Sequence, residues 1–282
     1  MKRFEFTVGQ KMIPGFLYGT AWKEERTERC VEEALAAGFR GIDTANQRKH
    51  YFEAGVGRAL KRVFASGDVN RDDVFIQTKF TDERGQDHRL PYDRAAAPAD
   101  KVNQSLASSL AHLGIDYLDA FILHGPSMPY GLSQIDWETW GAMEACQREG
   151  TVGFLGVSNI SHEQLQELCA GVATLPTFVQ NRCFARTGWD RDVRQFCREK
   201  GIIYQGFSLL TANLEIFHDP RFGAIVGRTG ATPAQVVFRF ALGIGMLPLT
   251  GTTDPVHMRQ DLACVDLELS DDDLAVIESI AG

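Results

Sequence analysis

The amino-acid sequence predicts one α/β domain over residues 1–282, a (β/α)8 TIM barrel with an N-terminal β-hairpin. Eight short apolar segments alternate with longer amphipathic segments from Phe16 almost to the end of the chain, which is the pattern of a repeated strand–helix unit. The apolar segments offer too few polar positions to face water on either side, which indicates a parallel sheet covered by helices. No linker or low-complexity tract divides the chain.

The elements follow in chain order. Residues 4–13 form the expected hairpin, which would cover the bottom of the barrel. The strands are expected at 16–21, 41–45, 74–80, 117–125, 152–159, 178–183, 202–210 and 246–251. The helices are expected at 24–38, 53–67, 98–114, 136–150, 161–171, 190–201, 232–245 and 254–263, and several end in glycine, as helices commonly do. An open, doubly wound sheet is the alternative arrangement of these elements.

Composition and charge indicate a soluble cytoplasmic protein. The 29 basic and 37 acidic residues give a formal net charge of -8, so nothing in the charge favours a nucleic-acid or membrane partner. The six cysteines lack metal-ligand spacing and are expected to be reduced. The N-terminus has no apolar signal core, and no apolar run is long enough to span a bilayer. We expect a monomer or a weak homo-oligomer without a bound metal.

Polar residues at the ends of the predicted strands are the candidates for function. Barrel enzymes carry their reactive groups at the C-terminal ends of the strands. The residues there are Asp43, Lys79, His124, Ser158, Asn159, Gln180, Ser208 and Thr250. We therefore expect these side chains to meet at one end of the barrel.

Four of the candidates form a set suited to proton donation. A lysine beside an aspartate stays protonated, so Lys79 next to Asp43 is expected to lower the pKa of the phenol of Tyr51. His124 would orient a carbonyl oxygen or relay a proton. No metal-ligand cluster or nucleophile motif accompanies the set. The set predicts protonation of a carbonyl oxygen in a small-molecule substrate.

A row of amide and hydroxyl side chains follows the fifth and sixth strands. Ser158, Asn159 and Gln180 are suited to hold the carboxamide of a nicotinamide, which would supply a hydride to the carbonyl carbon. The sequence therefore predicts a reductase.

Six segments resemble, in order, the motifs of the aldo-keto reductase superfamily. They read "GFRGIDTA…YFEAGVG", "VFIQTKF", "YLDAFILHGP", "GFLGVSN", "PTFVQNR" and "GFSLL", and the resemblance covers nearly the whole chain. It implies an NAD(P)H-dependent reductase of aldehydes and ketones on a (β/α)8 barrel, without the G-x-G-x-x-G motif. NADPH is the expected cofactor, with NADH as the alternative.

The resemblance also implies roles for single residues. The catalytic residues would be Asp43, Tyr51, Lys79 and His124. The cofactor would contact Thr20, Ala21, Asp43, Ser158, Asn159, Gln180, Phe207, Ser208, Leu210, Thr250, Thr252 and Arg259, with Phe207 stacking on the nicotinamide in place of the usual tyrosine. Trp22, Tyr51 and His124 would contact the substrate.

The position of Tyr51 departs from the family pattern. In the family, the tyrosine usually follows the aspartate after four intervening residues and precedes a glutamate by three. From Asp43 the first spacing leads to Arg48, and from Glu53 the second leads to His50. A short insertion in this segment is expected, and an acid role shared with His50 is the alternative.

Other departures concern the ends of the site. Leu249 stands where a basic residue is usual, His257 aligns with the usual arginine, and Arg259 is the basic residue that remains nearby. Gly125 replaces a tryptophan found in many members, which would widen the substrate pocket. Two further functions stay open, a cofactor-binding regulatory barrel with little turnover and an aldolase that forms a Schiff base on Lys79.

Overall fold

The computed structural model describes residues 4–280, so the ends of the expected domain, residues 1–3 and 281–282, lie outside the described residues. A two-stranded hairpin, β1 (Glu5–Val8) and β2 (Lys11–Pro14), precedes eight barrel strands. These are β3 (Leu17–Gly19), β4 (Gly41–Asp43), β5 (Phe75–Phe80), β6 (Leu118–Leu123), β7 (Val152–Ser158), β8 (Phe178–Arg182), β9 (Ile203–Phe207) and β10 (Leu247–Thr250). Each predicted segment contains one strand.

The eight strands form a closed parallel barrel, in the order β10-β3-β4-β5-β6-β7-β8-β9. The first and last strands of the barrel pair directly, with Leu249 opposite Leu17 and Thr250 opposite Tyr18. Because the sheet has no free edge, the open doubly wound alternative is excluded and the predicted (β/α)8 fold is confirmed.

Ten α-helices lie in the described part of the chain. They are α1 (Thr27–Ala37), α2 (Glu53–Ser66), α3 (Pro98–Leu113), α4 (Gln134–Arg148), α5 (His162–Gly171), α6 (Arg191–Lys200), α7 (Pro220–Thr229), α8 (Pro233–Gly243), α9 (Pro255–Leu262) and α10 (Asp271–Ser279). Eight correspond to the predicted helices, whereas α7 and α10 are additional. Both begin at a side-chain cap, Asp219 before α7 and Ser270 before α10, which satisfies free N–H groups of the first turn.

The hairpin covers the N-terminal end of the barrel, as predicted. Its strands pair antiparallel from Glu5 opposite Pro14 to Val8 opposite Lys11, and Gly9 supplies the positive φ of +59° that the turn requires. Ile13 is fully buried and belongs to one apolar cluster with Leu17, Phe75, Ala120, Ile122, Phe178, Ile203, Leu247 and Leu249. The N-terminal end of the barrel is therefore filled with apolar side chains.

The opposite end carries the polar residues of the strands. In the ladder Asp43 lies beside Gln77, Ser158 beside Gln180, and Gln180 beside Gln205. This register brings side chains from β4, β5, β7, β8 and β9 to the same level of the barrel. Between residues 4 and 280, no helix combines the length and the apolar character needed to cross a membrane.

Candidate active site

A buried ion pair lies at the C-terminal end of the barrel. Lys79 Nζ lies 2.6 Å from Asp43 Oδ1, and the two side chains are 1% and 4% exposed. Lys79 Nζ also donates a hydrogen bond of 2.9 Å to the carbonyl oxygen of Thr44. Two charges removed from water in this way are stable only when they are paired and hydrogen-bonded, so each holds the other in position.

Tyr51 lies beside this pair, in the segment between β4 and α2. Lys79 Nζ is 5.2 Å from the centroid of the Tyr51 ring, and the ring meets that of His124 edge-on at a centroid distance of 6.0 Å. The structure therefore brings Asp43, Tyr51, Lys79 and His124 together, although the sequence spacing of Tyr51 is unusual. His50 is instead stacked on Trp22, with ring centroids 3.9 Å apart.

The prediction of a lowered pKa for Tyr51 is wrong. Burial raises the pKa of Tyr51 well above its usual value, and the negative charge of Asp43 raises it further. The attraction between Lys79 and the phenolate does not outweigh these two effects, because the charge of Lys79 is already paired with Asp43. Tyr51 is thus a neutral phenol at neutral pH, and it holds a proton that it can donate.

His124 is held as a neutral imidazole. Its Nδ1 lies 2.6 Å from the hydroxyl oxygen of Thr81. Burial, with smaller contributions from the charges of Lys79 and His50, lowers the pKa of His124 to about 3. Since Nδ1 is engaged with Thr81, Nε2 is the ring nitrogen that remains for a ligand.

Three glutamines surround the ion pair in the barrel interior. Gln77 and Gln180 both donate from Nε2 to Asp43 Oδ1, over 2.6 and 3.0 Å. Gln180 also donates to Gln205 Oε1 over 2.9 Å, and Gln205 donates to Gln77 Oε1 over 3.0 Å. We call the set of Asp43, Gln77, Gln180 and Gln205 the glutamine network. Gln180 was predicted as a site residue, but Gln77 and Gln205 were not, because a polar residue within a strand gives no direction for its side chain.

Two residues at the strand ends adopt the left-handed backbone conformation. Asn159 has φ +50° and Ser208 has φ +58°. Asn159 Nδ2 donates to the carbonyl oxygen of His124 over 2.8 Å and to Ser158 Oγ over 3.1 Å, while Ser158 Oγ donates to the carbonyl oxygen of Gln180. Non-glycine residues adopt this conformation when their surroundings impose it, often at functional sites.

A cleft of about 870 Å³ opens above these residues. Of the residues predicted to contact the cofactor, it is lined by Ala21, Asp43, Ser158, Asn159, Gln180, Phe207, Ser208, Leu210, Thr250 and Thr252. Thr20 and Arg259 are not part of the lining. Thr20 is fully buried and its hydroxyl donates to the carbonyl oxygen of Asp43, and Arg259 is an exposed residue of α9. His257 and Asp261, which belong to the same helix α9, do line the cleft.

Lys23 is a cation of the cleft that the sequence did not single out. The residue is only 3% exposed, its Nζ donates to the carbonyl oxygen of Gly251 over 2.8 Å, and burial lowers its pKa to about 8. Within residues 4–280, no carboxylate forms an ion pair with it. Its position three residues after Thr20, at the end of the first barrel strand, was the signal available in the sequence.

A second cavity of about 360 Å³ adjoins the cleft. Trp22, Tyr51, His124 and Asn159 line both spaces. The second cavity also contacts Gln47, His50, Thr81, Asp82, Arg84, Gly85, Gly125, Pro126 and Ser127. The predicted substrate residues Trp22, Tyr51 and His124 thus lie between two spaces, a larger one and a smaller one.

Known proteins match this chain over most of its length. The sequence model of the Aldo/keto reductase family matches residues 12–215. An aldo-keto reductase of Mycolicibacterium smegmatis is 30% identical, and the match covers 91% of this chain and 85% of that protein. The prostaglandin-E(2) 9-reductase of Oryctolagus cuniculus is 28% identical over 95% of this chain and 88% of its own.

A solved structure shows the same fold. The aldo-keto reductase of Bombyx mori, crystallised in complex with NADP, superimposes with a TM-score of 0.83 and 22% identity. The match covers 99% of this chain and 92% of the silkworm protein. The closed barrel, the polar cluster at its C-terminal end and the matched family motifs agree, and the chain belongs to the aldo/keto reductase family of oxidoreductases.

Proposed function

We propose that the protein reduces the carbonyl group of a small aldehyde or ketone to an alcohol, with NADPH as the cofactor and Tyr51 as the general acid. One observation carries the proposal: a neutral, partly buried phenol adjoins an ion pair and a neutral imidazole at the edge of a large cleft. A phenol in this setting is a proton donor, and the cleft has the volume of a ligand site.

The lining of the cleft fits a nicotinamide dinucleotide. Phe207 offers a ring face for stacking, and the hydroxyl and amide groups of Ser158, Asn159 and Gln180 match a carboxamide. The two N–H groups of Gln180 already face Asp43 and Gln205, so its Oε1 is the atom left to accept from such a ligand. The buried cation of Lys23 suits a diphosphate. When bound in this cleft, NADPH supplies a hydride to the carbonyl carbon.

Tyr51 supplies the proton. The Oη–H bond of Tyr51 breaks and a new O–H bond forms on the carbonyl oxygen, which leaves a tyrosinate that water reprotonates. The ammonium of Lys79, 5.2 Å from the ring, stabilises this anion more than it stabilises the neutral phenol, so its effect appears in the transition state. Asp43 keeps the ammonium in place.

His124 orients the carbonyl group. Its pKa of about 3 means that the ring is neutral under ordinary conditions, so it can donate a hydrogen bond from Nε2 but does not protonate the substrate. For this donation the proton must be on Nε2, and Nδ1 then accepts from the hydroxyl of Thr81. Thr81 is thus compatible with the tautomer suited to the reaction, since its hydroxyl can donate to Nδ1.

NADPH is proposed ahead of NADH. The far end of the cleft offers the hydroxyls of Thr252 and Thr253 and the imidazole of His257 to a phosphate. The Bombyx mori structure contains NADP. The carboxylate of Asp261 lies at the same end, and it is the group that opposes an added phosphate.

The aldolase alternative lacks structural support. A Schiff base requires a lysine nitrogen that can attack a substrate carbonyl. Lys79 Nζ is engaged with Asp43 and Thr44, its side chain is 1% exposed, and the residue does not line the cleft. The lysine is therefore better suited to act through Tyr51.

The test is a turnover assay beside a binding assay. The purified protein is mixed with NADPH and a panel of activated aldehydes, including nitrobenzaldehydes, and the absorbance of the reduced nicotinamide is followed. We expect turnover with several aldehydes and formation of the corresponding alcohols. NADPH binding, measured by fluorescence titration, without turnover on any aldehyde would instead indicate a regulatory barrel. Borohydride trapping of a substrate on Lys79 would indicate an aldolase.

A further inference from the structure

The second cavity joins the proposed reaction centre to a guanidinium group. It is lined by Tyr51 and His124 at the reaction centre and by Arg84, which follows β5 in a short 3-10 helix (Glu83–Gly85). A molecule that fills this space of about 360 Å³ contacts both. The volume is close to the lower limit of pockets that bind small organic ligands.

Arg84 is held so that one edge of its guanidinium stays free. Nη1 donates to the carbonyl oxygen of Ser127 and lies 3.5 Å from Met128 Sδ. Among residues 4–280, no group accepts a hydrogen bond from Nε or Nη2, and no carboxylate forms an ion pair with the side chain. The Nε–Nη2 edge of an arginine is a planar pair of donors that matches a carboxylate.

Of the other charged groups around this edge, Asp82 is held by a hydrogen bond, although among residues 4–280 no cation forms an ion pair with it. Asp82 also lines the cavity, but its Oδ1 accepts from the backbone N–H of Arg84 over 3.1 Å and caps the 3-10 helix. Nearby, Arg89 is paired with Asp87, and Glu83 is paired with Arg94. Burial is the main cause of the lowered pKa of His50. Its imidazole is therefore less readily protonated, and it competes poorly with Arg84 for an anion.

We propose that Arg84 binds an anionic group of the substrate, and that the preferred substrates are aldehydes or ketones that carry a carboxylate. This inference rests on the proposed carbonyl reduction and names its substrate class. The carbonyl lies at Tyr51 and His124, and the carboxylate receives two hydrogen bonds from the free edge of Arg84. A carboxylate at that position gains from a charge-assisted, bidentate contact that a neutral substrate cannot form.

The test compares three benzaldehydes that differ only in the para substituent. These are 4-carboxybenzaldehyde, the neutral 4-formylbenzamide and the cationic 4-(trimethylammonio)benzaldehyde. Each aldehyde is compared between the wild-type protein and Arg84→Met, so that intrinsic reactivity cancels. We expect kcat/KM for the carboxylate to fall about tenfold or more in the variant, with at most about a twofold change for the amide and no loss for the cation.

Two further variants serve as controls. Arg84→Lys keeps the charge but not the planar edge, so it should recover part of the preference for the carboxylate. Arg148 is an exposed arginine in the last turn of α4, away from the cavity. Arg148→Met removes the same charge and should leave all three substrates unchanged.

Binding is measured as well as turnover. Calorimetry with the alcohol products, 4-(hydroxymethyl)benzoate and 4-(hydroxymethyl)benzamide, should show tighter binding of the carboxylate to the wild-type protein and not to Arg84→Met. In the wild-type protein, added salt should weaken the binding of the carboxylate product more than the binding of the amide product. If Arg84→Met folds poorly, the salt series on the wild-type protein and the kinetics of Arg84→Lys still test the inference, because neither depends on that variant.

Each failure has its own signature. Equal losses for the carboxylate and the amide would show that Arg84 only supports the loop through Ser127, and a preference for the cation would assign the cavity to Asp82. Either result overturns the inference and leaves carbonyl reduction intact. Absence of turnover on every aldehyde would contradict the proposed function, while calorimetry would still decide whether the cavity prefers a carboxylate.

Discussion

The two ends of the barrel interior are equally buried but have opposite chemistry. At the N-terminal end, the rings of Phe75 and Phe154 meet Phe178 edge-on at centroid distances of 5.7 and 5.9 Å. At the C-terminal end, Lys79 is paired with Asp43, which accepts hydrogen bonds from Gln77 and Gln180 of the glutamine network. The apolar end gains free energy from burial. The polar end instead depends on hydrogen bonds among its own members, because unpaired groups at that depth are costly.

The N-terminal end of the barrel interior therefore contributes mainly to stability, and the C-terminal end contributes mainly to the reaction. Substitutions at the apolar end should lower the free energy of unfolding without affecting the reaction directly. Substitutions at the polar end should change the reaction more than a comparable loss of packing would. The predictions below break or sharpen this comparison, from the largest expected effect to the smallest.

Removal of the phenol hydroxyl should have the largest effect. We expect Tyr51→Phe to lower kcat/KM by roughly a thousandfold, since a general acid contributes about two to four powers of ten. NADPH affinity and the free energy of unfolding should change little, because among residues 4–280 the hydroxyl has no hydrogen-bond partner. Steady-state kinetics, fluorescence titration and urea denaturation measure these three quantities in turn. If His50→Ala abolishes turnover while Tyr51→Phe does not, the acid is His50.

Removal of a ring at the apolar end should act on stability instead. Phe178 is fully buried between Phe75 and Phe154, and Phe178→Ala should lower the free energy of unfolding by about 3 kcal/mol. Urea denaturation, with and without bound NADPH, measures this free energy. At a temperature where the variant is folded, kcat should stay within about threefold of wild type. This change is small beside the factor of about a hundred or more that loss of a general acid causes. A large fall in kcat there would contradict the separation.

Two substitutions in the glutamine network should together cost less free energy of unfolding than the sum of the two made singly. Gln205→Leu leaves polar groups of Gln77 and Gln180 without their partner and should cost about 2 kcal/mol of unfolding free energy. Replacing Gln77 by leucine as well removes both members of a pair, so the double variant should be less destabilised than the sum of the single variants. A double-mutant cycle by urea denaturation measures this. Strict additivity would show that the two amides do not act together.

A buried carboxylate for which residues 4–280 provide no ion-pair partner should give a pH dependence of stability. Burial raises the pKa of Asp261 to about 6, although Thr250 opposes the shift with a hydrogen bond. The native state therefore retains a proton that the unfolded chain loses, and stability should fall by about 2 kcal/mol as the pH rises from about 4 to about 6. Asp261→Asn should lose this dependence. Denaturation curves of both proteins across this range measure it, and parallel curves would contradict the assignment.

The fold could be predicted because its strongest signals are local. The strand segments are apolar on both faces, and only a closed or covered sheet buries them. The capping residues Asp219 and Ser270 were equally readable, but α7 and α10 fall outside the strand–helix repeat that organised the prediction. Their helices begin with proline or acidic residues at the first turn, which is a typical start signal.

The site could be predicted only in part, because depth does not appear in the sequence. Strand-end position was sufficient to find Lys79 and His124. It did not show that the surroundings of Tyr51 raise its pKa, and it did not separate the buried Lys23 from any surface lysine. Gln77 and Gln205 lie inside strands, where only the three-dimensional register makes them neighbours of Asp43.

Gly125 gives the smaller cavity an adjustable wall. A Cβ atom added there would lie 3.5 Å from Asn159 Cβ and 3.6 Å from the carbonyl oxygen of Ser158, which are ordinary contacts, and its φ is not left-handed. Side chains of increasing size at this position would therefore narrow the cavity while the backbone stays unstrained. A change of one codon can alter the range of accepted substrates without affecting the proton donor, the ion pair or the barrel, so substrate range can diverge faster than the chemistry in proteins built this way.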